Sequence, residues 1–139
     1  MENYIKYIIT IFYIIIAEFI WIYLINAKNY ANVTKLVQKT EMKVNITYAL
    51  IAYVLVFTSI FFLAIPFSSN YINKKDKKIN YILKSLYYSG LVGFFIYGIY
   101  NFTSISIYEN YTINIAIKDT LWGTFLYATS CTIFNYLNI

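Results

Sequence analysis

The sequence predicts an all-α fold: an integral membrane bundle of four transmembrane helices that forms a single domain over residues 1–139. Composition is the first reason, because 60% of the residues are hydrophobic and only 12% are charged, too few to cover a soluble core of this size with polar surface. Spacing is the second reason. Four apolar runs reach the roughly 20 residues that a helix needs to cross a bilayer, at about residues 4–25, 46–67, 81–101 and 117–137.

The first run has the outline of a secretory signal, since Lys6 precedes it and Ile25-Asn26-Ala27 offers a weak cleavage site. The apolar stretch of a signal sequence is about 7–15 residues long, whereas this run is longer and contains Glu18. We therefore expect the run to be retained as a transmembrane helix.

Pro66 ends the second run, and the third and fourth runs carry small residues at helical spacing, which lets helix backbones approach closely. These small residues are Ser85, Ser89, Gly90 and Gly93 in the third run and Thr124, Ala128 and Thr132 in the fourth. We expect packing seams within the chain, with a homo-oligomer contact as the alternative. The glycines assigned to helix packing are Gly90, Gly93, Gly98 and Gly123.

The net charge of +5 comes from eleven lysines, most of which lie between the apolar runs. Such a distribution is typical of topology signals and of attraction to lipid headgroups, whereas nucleic-acid binding needs an arrayed basic face with stacking aromatics. We therefore expect membrane lipids as partners and no nucleic acid. The lysine-dense second loop, residues 74–78, favours cytoplasmic termini. Both a cellular and a viral membrane fit the sequence.

Several kinds of site are excluded by residue type. Cys131 is the single cysteine and histidine is absent, so disulfides within the chain, zinc sites and His-assisted nucleophiles are ruled out. The glycines match no phosphate-binding loop. The sequence predicts no metal, no cofactor and no catalytic residue. The abundance of Lys, Asn, Ile and Tyr is typical of an AT-rich genome, so tyrosine frequency alone is weak evidence of function.

Polar residues converge at one end of the predicted bundle. Connectivity places the end of the first helix, the end of the third and the start of the fourth in one leaflet, and Glu18, Tyr97, Asn101 and Asp119 lie there. A carboxylate at the bilayer centre costs about 2.5–3.5 kcal/mol on insertion scales, so these groups need polar neighbours. Helical spacing adds further residues to each polar stripe. The candidate ligand-binding residues are Glu18, Trp21, Tyr97, Tyr100, Asn101, Thr103, Asp119 and Trp122.

Three short motifs resemble a known family, the predicted membrane proteins numbered 2177 in the domain-of-unknown-function series. Glu18-Phe19-Ile20-Trp21 is similar to its acidic-x-x-Trp motif, and Asp119-Thr120-Leu121-Trp122-Gly123 to its Asp-x-x-Trp-Gly motif. The segment from Tyr97 to Ser104 is similar to its Tyr-Gly-x-Tyr-Asp-x-Thr-Asn signature, with Asn101 where the family has aspartate and Ser104 where it has asparagine. The resemblance covers nearly the whole chain and implies four helices without an established activity.

These residues leave several functions open, in order of preference. The first is a one-sided polar pocket that binds or passes a small ligand, a lipid headgroup or a cation, with Glu18 and Asp119 as its charged groups. The second is an ion- or proton-conducting oligomer in which Glu18 titrates. It ranks lower because the other half of the first two helices offers few polar groups. A structural or accessory subunit also fits the sequence. An enzyme that acts on lipid with two carboxyl groups as acid and base lacks a nucleophile and a cofactor motif.

Overall fold

The computed structural model describes residues 3–138, which contain helices and no strand. The all-α prediction is therefore confirmed. Helical segments follow one another with short connections. They are α1 (Asn3–Phe19), α2 (Ala27–Gln38), α3 (Ile46–Ser59), α4 (Ile65–Ser69), α5 (Lys78–Ile107) and α6 (Ile113–Tyr136), with π-helical turns at Ile20–Ile25, which extends α1, and Ile60–Ala64, which joins α3 to α4.

Among residues 3–138, three helical segments are long and apolar enough to cross a membrane, namely Tyr4–Ile25, Ile46–Ser69 and Lys78–Ile107. They agree with the first three predicted spans. The last helix, α6, has 24 residues but a more polar composition, and it is not among the three. Its start at Ile113 is earlier than predicted because Thr112 caps it, accepting a hydrogen bond from the Ile115 amide. The fourth span stays a prediction.

Helices α5 and α6 pack most closely where Gly93 meets Gly123. A Cβ atom on Gly93 would overlap the Gly123 carbonyl oxygen, and a Cβ on Gly123 would overlap the Tyr97 ring. By contrast, a Cβ on Gly98 would lie 3.6 Å from Thr120 Cγ2, and one on Gly90 would lie 3.4 Å from Ala128 Cβ, which are near-ordinary contacts. The α5 seam of small residues therefore packs inside the chain, and two of the four glycines are required by space.

Neutral polar side chains join α4, α5 and α6 near one end of the bundle. The Asn135 side-chain amide donates to Ser68 Oγ at 3.2 Å and to Ser85 Oγ at 3.0 Å. The Tyr81 hydroxyl donates to the Asn135 carbonyl oxygen at 3.1 Å. All four residues are buried, and we call them the amide cluster. Because these donors and acceptors satisfy one another, they can be buried at little cost.

The second span is not packed evenly along its length. Its π-helical turn and α4 contact α5 and α6, whereas the contacts of α3 are chiefly with that turn. Ile60 and Ala64 in the turn are fully buried beside Ile14 of α1. Toward its N-terminus, α3 therefore stands away from the other helices.

The first connection differs from the loop that the sequence predicts, because residues 27–38 form α2. The helix ends at Lys39, which takes the left-handed conformation with a φ of 63°. Val33 is its buried residue, and Tyr30 is half-buried. The helix packs against the π-helical turn after α1 and against α6. It therefore covers the end of the bundle where α1 ends and α6 begins.

Candidate functional site

Two carboxyl groups lie beneath α2, where α1 ends and α6 begins. Glu18 is 6% exposed and Asp119 is 8% exposed. Hydrogen bonds and ring contacts link these carboxyl groups to side chains from α1, α2, α5 and α6. We call the set the carboxylate cluster: Glu18, Trp21, Tyr30, Tyr97, Asn101, Tyr111, Asp119 and Trp122.

Both carboxylate oxygens of Asp119 have protein donors. Oδ1 accepts a hydrogen bond from the Tyr30 hydroxyl, and Oδ2 accepts one from Asn101 Nδ2 at 2.8 Å. Asn101 is itself held by two further bonds, from its Nδ2 to the Tyr97 carbonyl oxygen at 2.9 Å and from the Tyr111 hydroxyl to its Oδ1 at 2.7 Å. Asp119 is therefore satisfied by protein groups on two sides.

Glu18 is satisfied on one side only. Its Oε1 accepts hydrogen bonds from Trp122 Nε1 at 3.1 Å and from the Tyr97 hydroxyl at 3.4 Å. Within residues 3–138, no hydrogen bond reaches Oε2. Oε2 is not among the fully buried side-chain atoms that lack a partner in the described chain, so it keeps some accessible surface although the residue is buried. The free oxygen is thus an acceptor available to a bound molecule.

A pair of tryptophans connects the two carboxyl groups. The rings of Trp21 and Trp122 stack with centroids 4.7 Å apart and planes within 4°. Trp21 Nε1 donates to the Tyr30 hydroxyl at 2.9 Å, while Trp122 Nε1 bonds Glu18. Trp21 lies in the π-helical turn that follows Glu18, a local geometry that is frequent at functional sites. The stack therefore forms a rigid aromatic wall between Glu18 and Tyr30.

A cavity of about 490 Å³ opens beside this wall. It lies between α2, α3 and the ends of α1, α5 and α6, and Glu18, Asp119, Tyr30 and Tyr53 are among its lining residues. The remaining lining is largely apolar and aromatic, and none of the lysines in residues 3–138 contributes to it. A volume of this size is typical of small-molecule sites, which range from about 300 to 1,000 Å³.

The predicted site residues fall into distinct groups. Trp21, Tyr97 and Trp122 line the cavity together with the two carboxyl groups. Tyr100 also lines it but is 63% exposed, on the outer face of α5. Asn101 is fully buried behind Asp119 and does not line the cavity, and Thr103 is exposed and does not line it either.

Sequence reasoning did not place three tyrosines in the site. Tyr53 comes from α3, and Tyr30 and Tyr111 come from connections that carry no span signal. Burial and the nearby Asp119 raise the pKa of the Tyr30 hydroxyl. Burial and the neighbouring Tyr100 and Asp119 also raise the pKa of Tyr111. Both hydroxyls therefore stay protonated, so Tyr30 can serve as a donor to Asp119 and Tyr111 as a donor to Asn101.

The part of the chain that the structure describes contains no group of three or more histidine, cysteine or carboxylate side chains that could hold a metal ion. The model of the family DUF2177, described as a predicted membrane protein, matches residues 3–137. No curated protein and no solved structure matches the chain.

Proposed function

We propose that this protein, which belongs to the DUF2177 family of predicted membrane proteins, is a four-span membrane protein that binds a small amphipathic molecule in the cavity beside Glu18. One observation carries the proposal: a carboxyl group more than nine-tenths buried lines a cavity and keeps one oxygen without a protein donor among residues 3–138. An ionisable group inside the membrane is expensive and is a functional candidate for that reason.

The family motifs support the same location. The acidic-x-x-Trp motif supplies Glu18 and Trp21, and the Asp-x-x-Trp-Gly motif supplies Asp119 and Trp122. The Tyr-Gly-x-Tyr-Asp-x-Thr-Asn signature, which lies in α5, supplies Tyr97. All five residues line one cavity. Asn101 replaces the aspartate of the family signature, and its amide donates to Asp119 at 2.8 Å. At this position the chain needs a donor to Asp119 rather than a third acid.

The pairing of α5 with α6 supports a fourth membrane span. The two helices are joined at one end by Asn101 and Asp119 and at the other by Tyr81 and Asn135. At about 1.5 Å per residue, the α5 residues 81–101 cover roughly 30 Å, the thickness of a bilayer core. Since α6 follows α5 over that length, both helices reach the same depth. Its lower hydropathy comes in part from polar residues that are buried in the bundle, such as Asp119 and Asn135.

Cysteine labelling tests the fourth span and the cytoplasmic position of the termini. In a Cys131→Ser background, Asn110→Cys lies between α5 and α6 and Asn138→Cys lies after α6. A membrane-impermeant maleimide is expected to label Asn110→Cys in intact cells and Asn138→Cys only after lysis. Labelling of both positions from the same side would contradict a spanning α6.

The location of the cavity suggests how a ligand enters. Because the N-terminal part of α3 stands away from the other helices, the gap beside it faces the surrounding lipid. The lining is mostly apolar, with polar groups at the Glu18 side. This arrangement suits a molecule with an apolar body and one polar end that reaches the site from within one leaflet.

Conduction by an oligomer is supported less well. The seam of Ser85, Ser89 and Gly93 that would supply a subunit contact packs against α6 within the chain. A structural or accessory subunit accounts for the hydrogen bonds of Asp119, but it leaves the free oxygen of Glu18 without a purpose. Ligand binding uses both features.

Native mass spectrometry of protein purified in mild detergent tests the pocket. We expect a discrete bound molecule on the unchanged chain and its loss in Glu18→Gln and in Ala49→Trp, which fills the cavity from α3. The matched controls are Glu109→Gln, an exposed loop carboxylate, and Val54→Trp, an exposed position of α3 outside the lining. The same adduct on all five proteins, or none on any, would contradict the proposal.

A further inference from the structure

We infer that the polar end of the ligand is a protonated amine, which donates a hydrogen bond to Glu18 Oε2 and lies against the aromatic wall. The inference rests on the proposed function and specifies the chemical class of the ligand. It follows from three features of the cavity: its charge balance, the acceptor it leaves open and the rings around that acceptor.

The cavity carries acidic groups without a basic partner. Glu18 and Asp119 both line it, and neither lysine nor arginine does. The ion pairs found in the described chain, Lys35 with Glu41 and Lys84 with Asp76, do not involve Glu18 or Asp119. A buried charge is retained when a partner compensates it, and here a cationic ligand supplies the missing charge. An anionic ligand would add a third negative group.

The two carboxyl groups differ in what they offer. Asp119 has a donor on each oxygen, from Tyr30 and Asn101, so it has no vacant side for a ligand and instead fixes the surrounding helices. Glu18 has neutral donors on Oε1 and none among residues 3–138 on Oε2. An ammonium group carries donors and no acceptor. One of its N–H donors therefore complements Oε2.

Aromatic rings surround the position that such an amine would take. Trp21, Trp122, Tyr97 and Tyr53 line the cavity with Glu18. Ring faces attract a cation when it lies within about 6 Å of the centroid. The same rings and the apolar lining would cover a short hydrocarbon chain attached to the amine, consistent with entry from the lipid side.

The two tryptophans of the chain are Trp21 and Trp122, so tryptophan emission reports on this cavity and on no other part of the protein. We would titrate purified protein with three matched probes, hexylamine, hexanol and hexanoic acid, which differ in the polar end alone. We expect a saturable emission change with hexylamine, and its half-saturation concentration should be about tenfold or more below that of hexanol. A difference of this size is what one charge-assisted hydrogen bond contributes. Hexanoic acid is expected to be weakest.

Variants attribute the preference to Glu18. In Glu18→Gln the advantage of hexylamine over hexanol should fall to about twofold or less, whereas Glu109→Gln should retain it. Ala49→Phe, which fills the cavity without adding a tryptophan and leaves both carboxyl groups in place, should weaken all three probes together. Equal binding of hexylamine and hexanol, stronger binding of hexanoic acid, or a preference that survives Glu18→Gln overturns the amine assignment.

The two proposals fail in different ways. An adduct that Glu18→Gln removes from the native mass spectrum, combined with no preference for hexylamine, would retain the pocket and reject the amine. Loss of the hexylamine response in Ala49→Phe but not in Val54→Phe would place the probe in the cavity. No adduct and no saturable response to any probe would reject both.

Discussion

At one end of the bundle Asn135 joins three helices through neutral hydrogen bonds, whereas at the other end Glu18 keeps one carboxylate oxygen unpaired within the described chain. Both ends bury polar groups, but they use them differently. The donors and acceptors of the amide cluster bond one another, and these hydrogen bonds fix the positions of α4, α5 and α6. The carboxylate cluster holds two carboxyl groups and an open acceptor beside a cavity. A buried polar group whose donors and acceptors are all bonded holds helices together, whereas a buried polar group with an unbonded acceptor beside a cavity is a candidate binding group.

The largest effect is expected from the glycine seam, because it supports both clusters at once. Gly93→Ala places a methyl group against the Gly123 carbonyl, and overpacking of this kind costs about 1–3 kcal/mol, or more when backbone must move. We expect a loss of about 3 kcal/mol in unfolding free energy, measured by denaturation in mixed detergent, and loss of the probe response. Gly98→Ala is the control, because its new methyl group lies at ordinary contact from Thr120. Equal stability of the two variants would contradict the close approach of α5 and α6.

The next effect separates the two ends. Asn135→Leu leaves Ser68 and Ser85 without their donor, and unsatisfied buried groups cost about 1–3 kcal/mol. We expect a destabilisation of about 2 kcal/mol with the hexylamine response unchanged in the folded protein. Asn114→Leu, at an exposed position of α6, should leave the unfolding free energy nearly unchanged. A lost response with intact stability would show that the amide cluster contributes to the site.

Glu18→Gln should give the opposite result, with stability retained and binding lost. Glutamine keeps an acceptor for Trp122 and Tyr97, so the unfolding free energy should change by less than about 1 kcal/mol. Denaturation and the probe titration, made on the same preparation, give both quantities. A destabilisation as large as that of Asn135→Leu would indicate that Glu18 is a structural tie like the amide cluster.

A smaller effect on binding is expected at α2, which covers the carboxylate cluster. Tyr30→Phe removes the donor to Asp119 and the acceptor of Trp21. A hydrogen bond to a charged group contributes about 1.5–3 kcal/mol. We expect faster hydrogen exchange in α2 and faster release of hexylamine, with stability lowered by roughly 1.5 kcal/mol. Tyr48→Phe is the control, at a tyrosine that is 71% exposed on α3. Unchanged exchange would mean that Tyr30 does not hold α2.

The sequence predicts the clusters unequally, and the reason is physical. Helical spacing and connectivity bring Glu18, Tyr97 and Asp119 to one end, because both depend on backbone geometry alone. Tyr30 could not be placed in the same way, since the contact of α2 with α6 depends on tertiary packing of a short polar segment. The role of Asn101 as a support also required coordinates, because its motif position indicates a site but not which atom it contacts. The sequence predicts four spans, of which the structure supports the first three, while α6 carries both buried and exposed polar residues and is not among the candidate spans of the described chain.

The smallest effect lies at the lysine-rich loop and extends the comparison to exposed charge. The hydrogen bond from Lys84, at 2.8 Å, and a backbone bond from Asn73 lower the pKa of Asp76 below its ordinary value of 3.8. A carboxyl group whose pKa is lower in the folded state stabilises the fold above the unfolded pKa, and that contribution is lost as pH falls through the folded pKa. Unfolding free energy measured between pH 5 and 3, about the range in which aspartate titrates, should therefore fall less steeply in Asp76→Asn than in the unchanged chain. Glu41→Gln, at the exposed pair with Lys35, serves as the comparison.

Because Asp76 is at the surface, solvent screens its interaction with Lys84. Asp76→Asn should therefore leave the hexylamine titration unchanged. An altered titration would mean that the lysine-rich loop and the carboxylate cluster are coupled through the bundle.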